Sequence, residues 1–436
     1  IVSRAGGPGG LDETYERGGI DISHQYARWT QKRNLTEFFR LIKADLIDPK
    51  LLITSQTHID DAIPLFDSIA EGKYTGLTPL IYYDDEPLDI AVSNQKNVKI
   101  VNMDNAEATI KTFSNRLINI DMIGAGQFAR ASLLPHLTKM RDVKLRTLVT
   151  KNQTSSFYSK NKFSFDFSTQ NIDEIFNKND EKGALMITTR HANHFEYTKT
   201  AVEYGYRHIF VEKPMVTNRE ELNKLTSLYD KKKFNLMVGY NRRFSPHAVE
   251  AKTYFGNNRI TNISYIVNAG FVDSNHWVFS PEEGRSRIVG EMCHFFDLFQ
   301  FLTGSKIIKV TVETIDPSSK SEIIKDNLSI ICKMENGAVC NLAYYATGNR
   351  GLSRENIYIF GSNKSAHIEN FSRSKFYGPK KSFVKRTLGQ NMGYAEELKF
   401  FKHSVLSGNP VITFAELCNS TETCFAIEDL LSGVNE

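Results

Sequence analysis

Leu117-Ile118-Asn119-Ile120-Asp121-Met122-Ile123-Gly124-Ala125-Gly126-Gln127-Phe128-Ala129 is an apolar run that breaks at two glycines and resumes with helix-forming residues. Short glycine strings occur in many loops, so the order strand, turn, helix carries the reading: it is the context a dinucleotide needs. Gly124 permits the tight turn, Gly126 lets the backbone approach a pyrophosphate, and Ala129 is small enough for helix and strand to pack closely. Gln127 and Phe128 open the helix whose unpaired backbone N–H groups would meet the phosphates.

Outward from this motif, strand and helix patterns alternate. Strands are expected at 117–123, 143–149, 184–189, 209–211 and 236–238, with helices from Gln127, from about His194 and from Asn218. Such alternation implies a parallel sheet covered on both faces. An acidic residue normally ends the second strand and receives the ribose hydroxyls, but here Thr150, Lys151 and Asn152 follow Val149. The choice between NAD and NADP stays open, with Thr150 at the ribose end of the site. After Tyr240 the texture changes to alternating runs at 307–315, 328–333, 338–346 and 356–360, which suggest an antiparallel sheet, and two helical patterns close the chain at 394–405 and 414–431. The expected fold is α/β: a Rossmann doubly wound parallel sheet over 116–240, then an α/β domain with a largely antiparallel open sheet over 241–436.

The front of the chain reads differently. Residues 1–20 hold six glycines without a strand leading into a helix, while 26–44 and 59–70 carry apolar residues at helical spacing. The polar stretch 86–115 cannot bury much apolar surface and reads as a connector. The expected divisions are a segment over 1–90 and a linker over 91–115.

Composition narrows the class. The chain has 436 residues, 41% hydrophobic and 24% charged, as in ordinary globular proteins of more than one domain. A formal net charge of +4 is too small to suggest nucleic-acid binding by phosphate neutralisation, and no apolar stretch approaches the ~20 residues of a membrane span. Five cysteines, none before residue 293 and none in a CxxC pair, point to a reducing cytoplasm and no metal. The start at Ile1 suggests a fragment of something longer.

Glu212-Lys213-Pro214 ends a parallel strand, at the sheet edge where ligands bind in such folds. Pro214 disfavours helix at Lys213 and keeps the lysine in an extended segment; Glu212 is its nearest ion-pair partner.

Over residues 116–436 the sequence resembles the Gfo/Idh/MocA oxidoreductases. The motifs appear in order: Gly124-Ala125-Gly126 with Ala129, Thr189-Arg190-His191 leading to His194, Glu212-Lys213-Pro214, Gly239-Tyr240-Asn241-Arg242-Arg243-Phe244, and Cys293-His294 with Asp297. The resemblance implies that Thr189, Arg190, His194 and Glu212 join Gly124, Gly126, Gln127, Phe128, Ala129 and Thr150 at the cofactor. It implies that Lys213 hydrogen-bonds the reacting hydroxyl or carbonyl and that His294 exchanges its proton while hydride moves to or from the nicotinamide. A hydroxyl that keeps its proton does not readily lose hydride, so a base near neutral pKa and a cation favouring alkoxide both lower the barrier. The open sheet of the second domain often forms the subunit interface in such proteins, so a homo-oligomer is expected.

One position departs from the pattern. Relatives commonly place an aspartate four residues before the histidine, where this chain has Gly290; Glu291 beside it is a candidate catalytic carboxylate, although the change of spacing by one residue would turn it elsewhere on a helix. Asn241, Arg242 and Arg243 follow the last strand of the first domain and, with Asp297, are candidate substrate contacts; at least one of the arginines is expected to pair with local carboxylates instead. Lys375, Lys380, Lys381, Lys385 and Arg386, interleaved with Tyr377 and Phe383, read as a solvated loop that could meet a diphosphate.

Arg28-Trp29-Thr30, Leu52-Ile53-Thr54 and Ala70-Glu71-Gly72-Lys73 make residues 1–85 resemble the carboxyl-terminal end of a medium-chain alcohol dehydrogenase. That resemblance brings to mind two-part bacterial proteins associated with surface polysaccharide synthesis; here a remnant without zinc ligands is expected. The expected function is NAD(P)-dependent hydride transfer on a small carbohydrate, sugar nucleotide or cyclitol. Two alternatives are redox-assisted cleavage of a glycosidic bond with tightly bound NAD, and a cofactor-binding protein without turnover.

Overall fold

The computed structural model describes residues 30–48, 53–70, 74, 78–82 and 117–433, apart from 45, 177–181, 285, 317–323 and 380–381. Arg28, Trp29, Leu52, the segment 71–73 and the expected linker at 91–115 lie outside the described residues. The chain divides into two compact units, Ile1–Gln95 and Lys96–Glu436.

In the first unit, Thr30 caps helix α1 (Gln31–Lys43), its side chain accepting from the Arg33 amide. Strand β1 (Ile53–His58) and β2 (Thr78–Tyr82) pair in parallel, with helix α2 (Ala62–Ala70) between them in sequence.

The second unit holds two sheets. The first is parallel throughout, in the order β5-β4-β3-β6-β7-β8. Its strands are β3 (Ile118–Ile123), β4 (Val143–Val149), β5 (Phe167–Thr169), β6 (Ala184–Ile187), β7 (His208–Val211) and β8 (Asn235–Val238). Every residue of β6 is buried, as expected of a strand covered on both faces. Helix α3 runs from Gln127 through a π-turn at Ala129–Leu133 into Leu134–Leu137. Helices α4 (Gln153–Phe163), α5 (His194–Glu203) and α6 (Arg219–Lys232) follow. Asn218 caps α6 by accepting from the Glu221 amide, which explains why the helix starts there. Helix α4 was not foreseen: QTSSFYSKNKF spaces Phe157, Tyr158 and Phe163 without an apolar stripe.

Helix α7 (Pro246–Phe255) leads into the second sheet, ordered β10-β11-β12-β9-β13-β14-β15-β16 and antiparallel except where β12 meets β9. Its strands are β9 (Asn262–Asn268), β10 (Ile307–Thr314), β11 (Asn327–Met334), β12 (Val339–Tyr345), β13 (Glu355–Gly361), β14 (Lys364–Glu369), β15 (Arg373–Tyr377) and β16 (Phe383–Arg386). In β11 the alternation is plain: Leu328, Ile330, Cys332 and Met334 are buried and the residues between them exposed. Helices α8 (Cys293–Thr303) and α10 (Phe414–Ser432) cover the inner face, and α9 (Tyr394–Ser407) packs on the parallel sheet. Of the basic stretch expected as a solvated loop, Lys375, Tyr377, Phe383, Lys385 and Arg386 lie instead on the paired strands β15 and β16, while Lys380 and Lys381 lie outside the described residues; Phe376 and Phe383 stack at 4.6 Å, and Lys385 donates to Glu250 at 2.8 Å.

Among the described residues no helix is long and apolar enough to cross a membrane.

Candidate active site

The carboxyl ends of three adjacent strands, β3, β6 and β7, carry the site. After β3, Gly124 turns with φ +96°, and a Cβ there would stand 2.6 Å from the Thr188 carbonyl, so only glycine lets the turn lie against the end of β6. Thr188 fastens the two by donating to the Gly124 carbonyl at 2.9 Å. At Gly126 the opposite holds: nothing lies within 4 Å of where a Cβ would be, so the protein's own side chains leave the space above the turn open. An open glycine at the start of α3, with Ala129 buried beneath it, fits the pyrophosphate of a dinucleotide. Gln127 and Phe128 are exposed at this helix start, and Phe128 meets Tyr394 edge to face at 5.5 Å. Thr150 donates to the Asn152 carbonyl at the end of β4.

The loop after β6 links this turn to the lysine. Thr189 donates to the Arg190 carbonyl, and the Arg190 guanidinium lies over the Trp277 ring at 5.2 Å. His194 was expected at the cofactor; the structure buries it completely, as a tie between loops. Its Nδ1 donates to the Pro214 carbonyl at 2.7 Å and its Nε2 faces the Thr189 carbonyl at 3.2 Å. Burial holds its pKa down at about 4. A neutral ring has one N–H, and the shorter contact assigns it to Nδ1.

Lys213 sits at the end of β7, followed by a cis bond to Pro214. Its Nζ donates 2.8 Å to the carbonyl of Gly290. Gly290 belongs to a π-turn, Ile288–Met292, that leads into α8. A π-turn shifts the regular hydrogen-bond ladder, and π-turns of this kind often mark functional sites. His294 follows on the first turn of α8, nearly buried, its ring 6.0 Å from that of Tyr240. Burial holds the imidazole well below its ordinary pKa, reinforced by the charges of Arg242, Lys213 and Arg354. Its Nδ1 is buried without a hydrogen-bond partner among the described residues. Lys213 Nζ thus rests on the turn that leads to His294, and its charge reaches the imidazole.

Glu212 is buried, its carboxyl 2.9 Å from where a Gly239 Cβ would stand, and burial raises it to about 7. The glycine that opens the Gly239–Phe244 motif makes room for this carboxyl. Glu397, from α9, lies against the same group: it is fully buried, and both its oxygens lack a partner among the described residues. Burial, then the neighbouring Glu212, raises Glu397 well above the carboxylate range. Sequence reasoning missed Glu397, which looks like any helical glutamate.

The candidate carboxylate and the candidate substrate contacts lie elsewhere than at an open site, and the arginines pair with carboxylates as expected of at least one of them. Glu291 does not turn toward Lys213: Arg287 donates to it at 3.0 Å, Tyr344 at 2.7 Å, and Arg354 as well. Burial would raise this carboxyl, but Arg354 and Arg287 outweigh it and bring it to about 2. Arg242 grips Glu355 with two bonds, at 2.9 and 2.7 Å, and Arg243 grips Asp297 at 2.9 and 2.5 Å, all four groups buried. Asn241 donates to the Met392 carbonyl at 2.8 Å. Asn241, Arg242, Arg243 and Asp297 therefore fasten the second domain internally, these bonds all going to protein groups.

Among the described residues no group of three or more His, Cys, Asp or Glu is placed to hold a metal ion.

Comparison with known proteins agrees with this architecture. Residues 118–240 match the model of the oxidoreductase family with an NAD-binding Rossmann fold, GFO_IDH_MocA, and residues 249–367 match the GFO/IDH/MocA C-terminal domain. The putative oxidoreductase YceM of Salmonella typhimurium is 25% identical over 191 residues, 44% of this chain and 58% of its own. Inositol 2-dehydrogenase of Rhizobium meliloti is 24% identical over 190 residues, 43% of this chain and 57% of its own. The chain thus spans about half the length of the curated relatives it matches. Among solved structures, levoglucosan dehydrogenase in complex with NADH and levoglucosan superposes with a TM-score of 0.63 at 18% identity, covering 73% of this chain and 98% of that one. UDP-N-acetylglucosamine 3-dehydrogenase GnnA from Acidithiobacillus ferrooxidans gives 0.60 at 18%, with the same coverage. At such identities the structural likeness speaks for the fold alone. With both domain models matched in order over more than half its length, the chain belongs to the Gfo/Idh/MocA family of oxidoreductases, an NAD-binding Rossmann domain followed by the family's C-terminal domain.

Proposed function

We propose that this protein is an NAD(P)-dependent dehydrogenase or reductase acting on a hydroxyl or carbonyl of a carbohydrate, sugar nucleotide or cyclitol, in surface polysaccharide synthesis. The observation that carries the reading is the Lys213 Nζ bonded to the Gly290 carbonyl, four residues before His294 and one loop away from the open turn at Gly126. A bound nicotinamide supplies the hydride acceptor or donor. Lys213 holds the reacting oxygen and favours its anionic form; His294, a neutral imidazole, takes the hydroxyl proton in oxidation and returns it in reduction. Thr189, Arg190 and Thr150 border the cofactor. The named activities of relatives, on inositol, levoglucosan and a sugar nucleotide, support the substrate class.

The domain reading, a cofactor domain over 116–240 and a substrate domain over 241–436, follows the two sheets. We read the parallel pair β1–β2 at the front as a remnant of a medium-chain dehydrogenase without a redox role. The outer face of the eight-stranded sheet exposes Ile266, Ile331, Tyr345 and Phe360, which supports a homo-oligomer through that face. The place of action is the cytoplasm.

The test is nicotinamide absorbance with NAD and NADP over a panel of sugars, sugar nucleotides and cyclitols, for the parent, Lys213→Ala and His294→Ala. Each substitution should lower kcat by ~10²-fold or more, since positioned acid–base groups contribute at least that much. A Lys213→Ala enzyme within about threefold of the parent would refute the role given to the lysine.

A further inference from the structure

The loop after β6 brings a second histidine to the lysine. A Cβ at position 290 would stand 3.1 Å from His191 Cε1 and 3.7 Å from its Nδ1, so the imidazole occupies the room a side chain at 290 would take. The carbonyl of the same glycine receives Lys213 Nζ at 2.8 Å. Imidazole and ammonium therefore rest on one backbone residue, four positions before His294.

The ring is fixed in place. Its Nδ1 lies 3.0 Å from the Glu283 carbonyl, an oxygen that can only accept, so the hydrogen sits on Nδ1. Trp277 meets the ring edge to face at 5.1 Å, and the Glu283 carboxylate holds the loop by accepting from the Ala192 amide at 3.3 Å. Nε2, the vertex beyond Cε1, is left with a lone pair that none of the described residues engages. Burial, then the charge of Lys213, pulls the ring down to about 3, so this lone pair stays unprotonated at neutral pH.

A neutral acceptor of this kind, set beside an ammonium that holds the reacting oxygen, suits the hydrogen of a second hydroxyl. We propose that His191 is a specificity-determining residue whose Nε2 accepts a hydrogen bond from the hydroxyl adjacent to the one held by Lys213, so that the enzyme takes vicinal diols or their hydroxyketones. An isolated alcohol offers this lone pair no partner and is selected against. The inference rests on the dehydrogenase reading above and deepens it.

The test compares the parent, His191→Phe and His191→Gln on a diol found in the substrate panel and on its monodeoxy analogue lacking the adjacent hydroxyl. His191→Phe should raise KM for the diol by about tenfold or more. It should leave KM for the deoxy analogue and cofactor affinity, read by nicotinamide fluorescence, at parent values. His191→Gln, which keeps an acceptor, should recover part of the loss. Gly290→Ala provides a second route should His191→Phe fold poorly: the added methyl displaces the ring, and KM for the diol should rise without loss of cofactor binding. If His191→Phe and Gly290→Ala keep the parent's preference for diol over deoxy analogue, or lose both substrates equally, His191 does not read the hydroxyl. If the parent turns over no polyhydroxy compound with either cofactor, the dehydrogenase reading falls and takes this inference with it.

Discussion

Arg243 embraces Asp297 with two donors, Nε at 2.9 Å and Nη2 at 2.5 Å, at a depth where neither group reaches water. Removing one partner of a buried pair uncovers the other charge, at a cost of about 3–5 kcal/mol, and Glu416, 3.5 Å from the same guanidinium, offsets part of it here. Asp297→Asn should therefore lower unfolding stability by up to that amount in urea titrations. KM for the substrate should stay at the parent value in the fraction that folds. A rise in KM without loss of stability would return Asp297 to the substrate.

Acid should unfold this protein early. His194 is held at about 4, His191 at about 3, His247 at about 4 and His294 well below its ordinary value, in each case chiefly by burial. A lowered folded pKa means that the unfolded chain binds protons the native state refuses. Stability from these histidines is complete above pH ~6.5 and lost as pH falls toward 4. The slope for each fully buried ring approaches ~1.4 kcal/mol per pH unit. Thermal melts between pH 7.5 and 4.5 should show a steep fall in Tm beginning near pH 6.5, and His247→Gln should make it shallower. A flat Tm down to pH 5 would contradict the burial of these rings.

Much of the cofactor half was legible because its strands are rich in apolar residues and its turn depends on two glycines, both local signals. Of the polar residues of the second domain, one paired arginine was expected, and that both pair was not legible for a physical reason. Arg242 and Arg243 suit oxygen pairs, but the fork that fits a ligand's phosphate fits Glu355 and Asp297 equally well, and those carboxylates lie far along the chain. Glu291 was misread likewise, since only the folded chain brings Arg354 and Tyr344 to it. Helix α4 stayed hidden because it has no apolar stripe, and Glu397 because a buried unpaired carboxyl has no sequence signature.

Glu397 makes the opposite pH prediction. Burial raises its folded pKa above the unfolded value of 4.5, so the stability it contributes is present below that pH and lost as pH rises through the folded pKa. Glu397→Gln keeps the shape and removes the titration. The variant should match the parent at pH 5 and exceed it at pH 8 by on the order of 1–2 kcal/mol, or ~2–4 °C in Tm for each kcal/mol. If the gap between the two melts is the same at both pH values, Glu397 is ionised and paired in the native protein.

Gly124 and Gly126 separate folding from binding within a single motif. At Gly124 a methyl group would meet the Thr188 carbonyl at 2.6 Å on a backbone with φ +96°, so Gly124→Ala must shift main chain against main chain. A loss of about 2–4 kcal/mol is expected, visible in denaturant midpoints before any ligand is added. At Gly126 nothing lies within 4 Å of the added methyl. Gly126→Ala should melt within about 1 °C of the parent, because no protein contact changes. The same methyl would project into the space where the pyrophosphate approaches the start of α3, so NAD(H) affinity, followed by nicotinamide fluorescence, should fall by about tenfold or more. Equal cofactor affinity in Gly126→Ala and the parent would mean that the dinucleotide does not cross this turn.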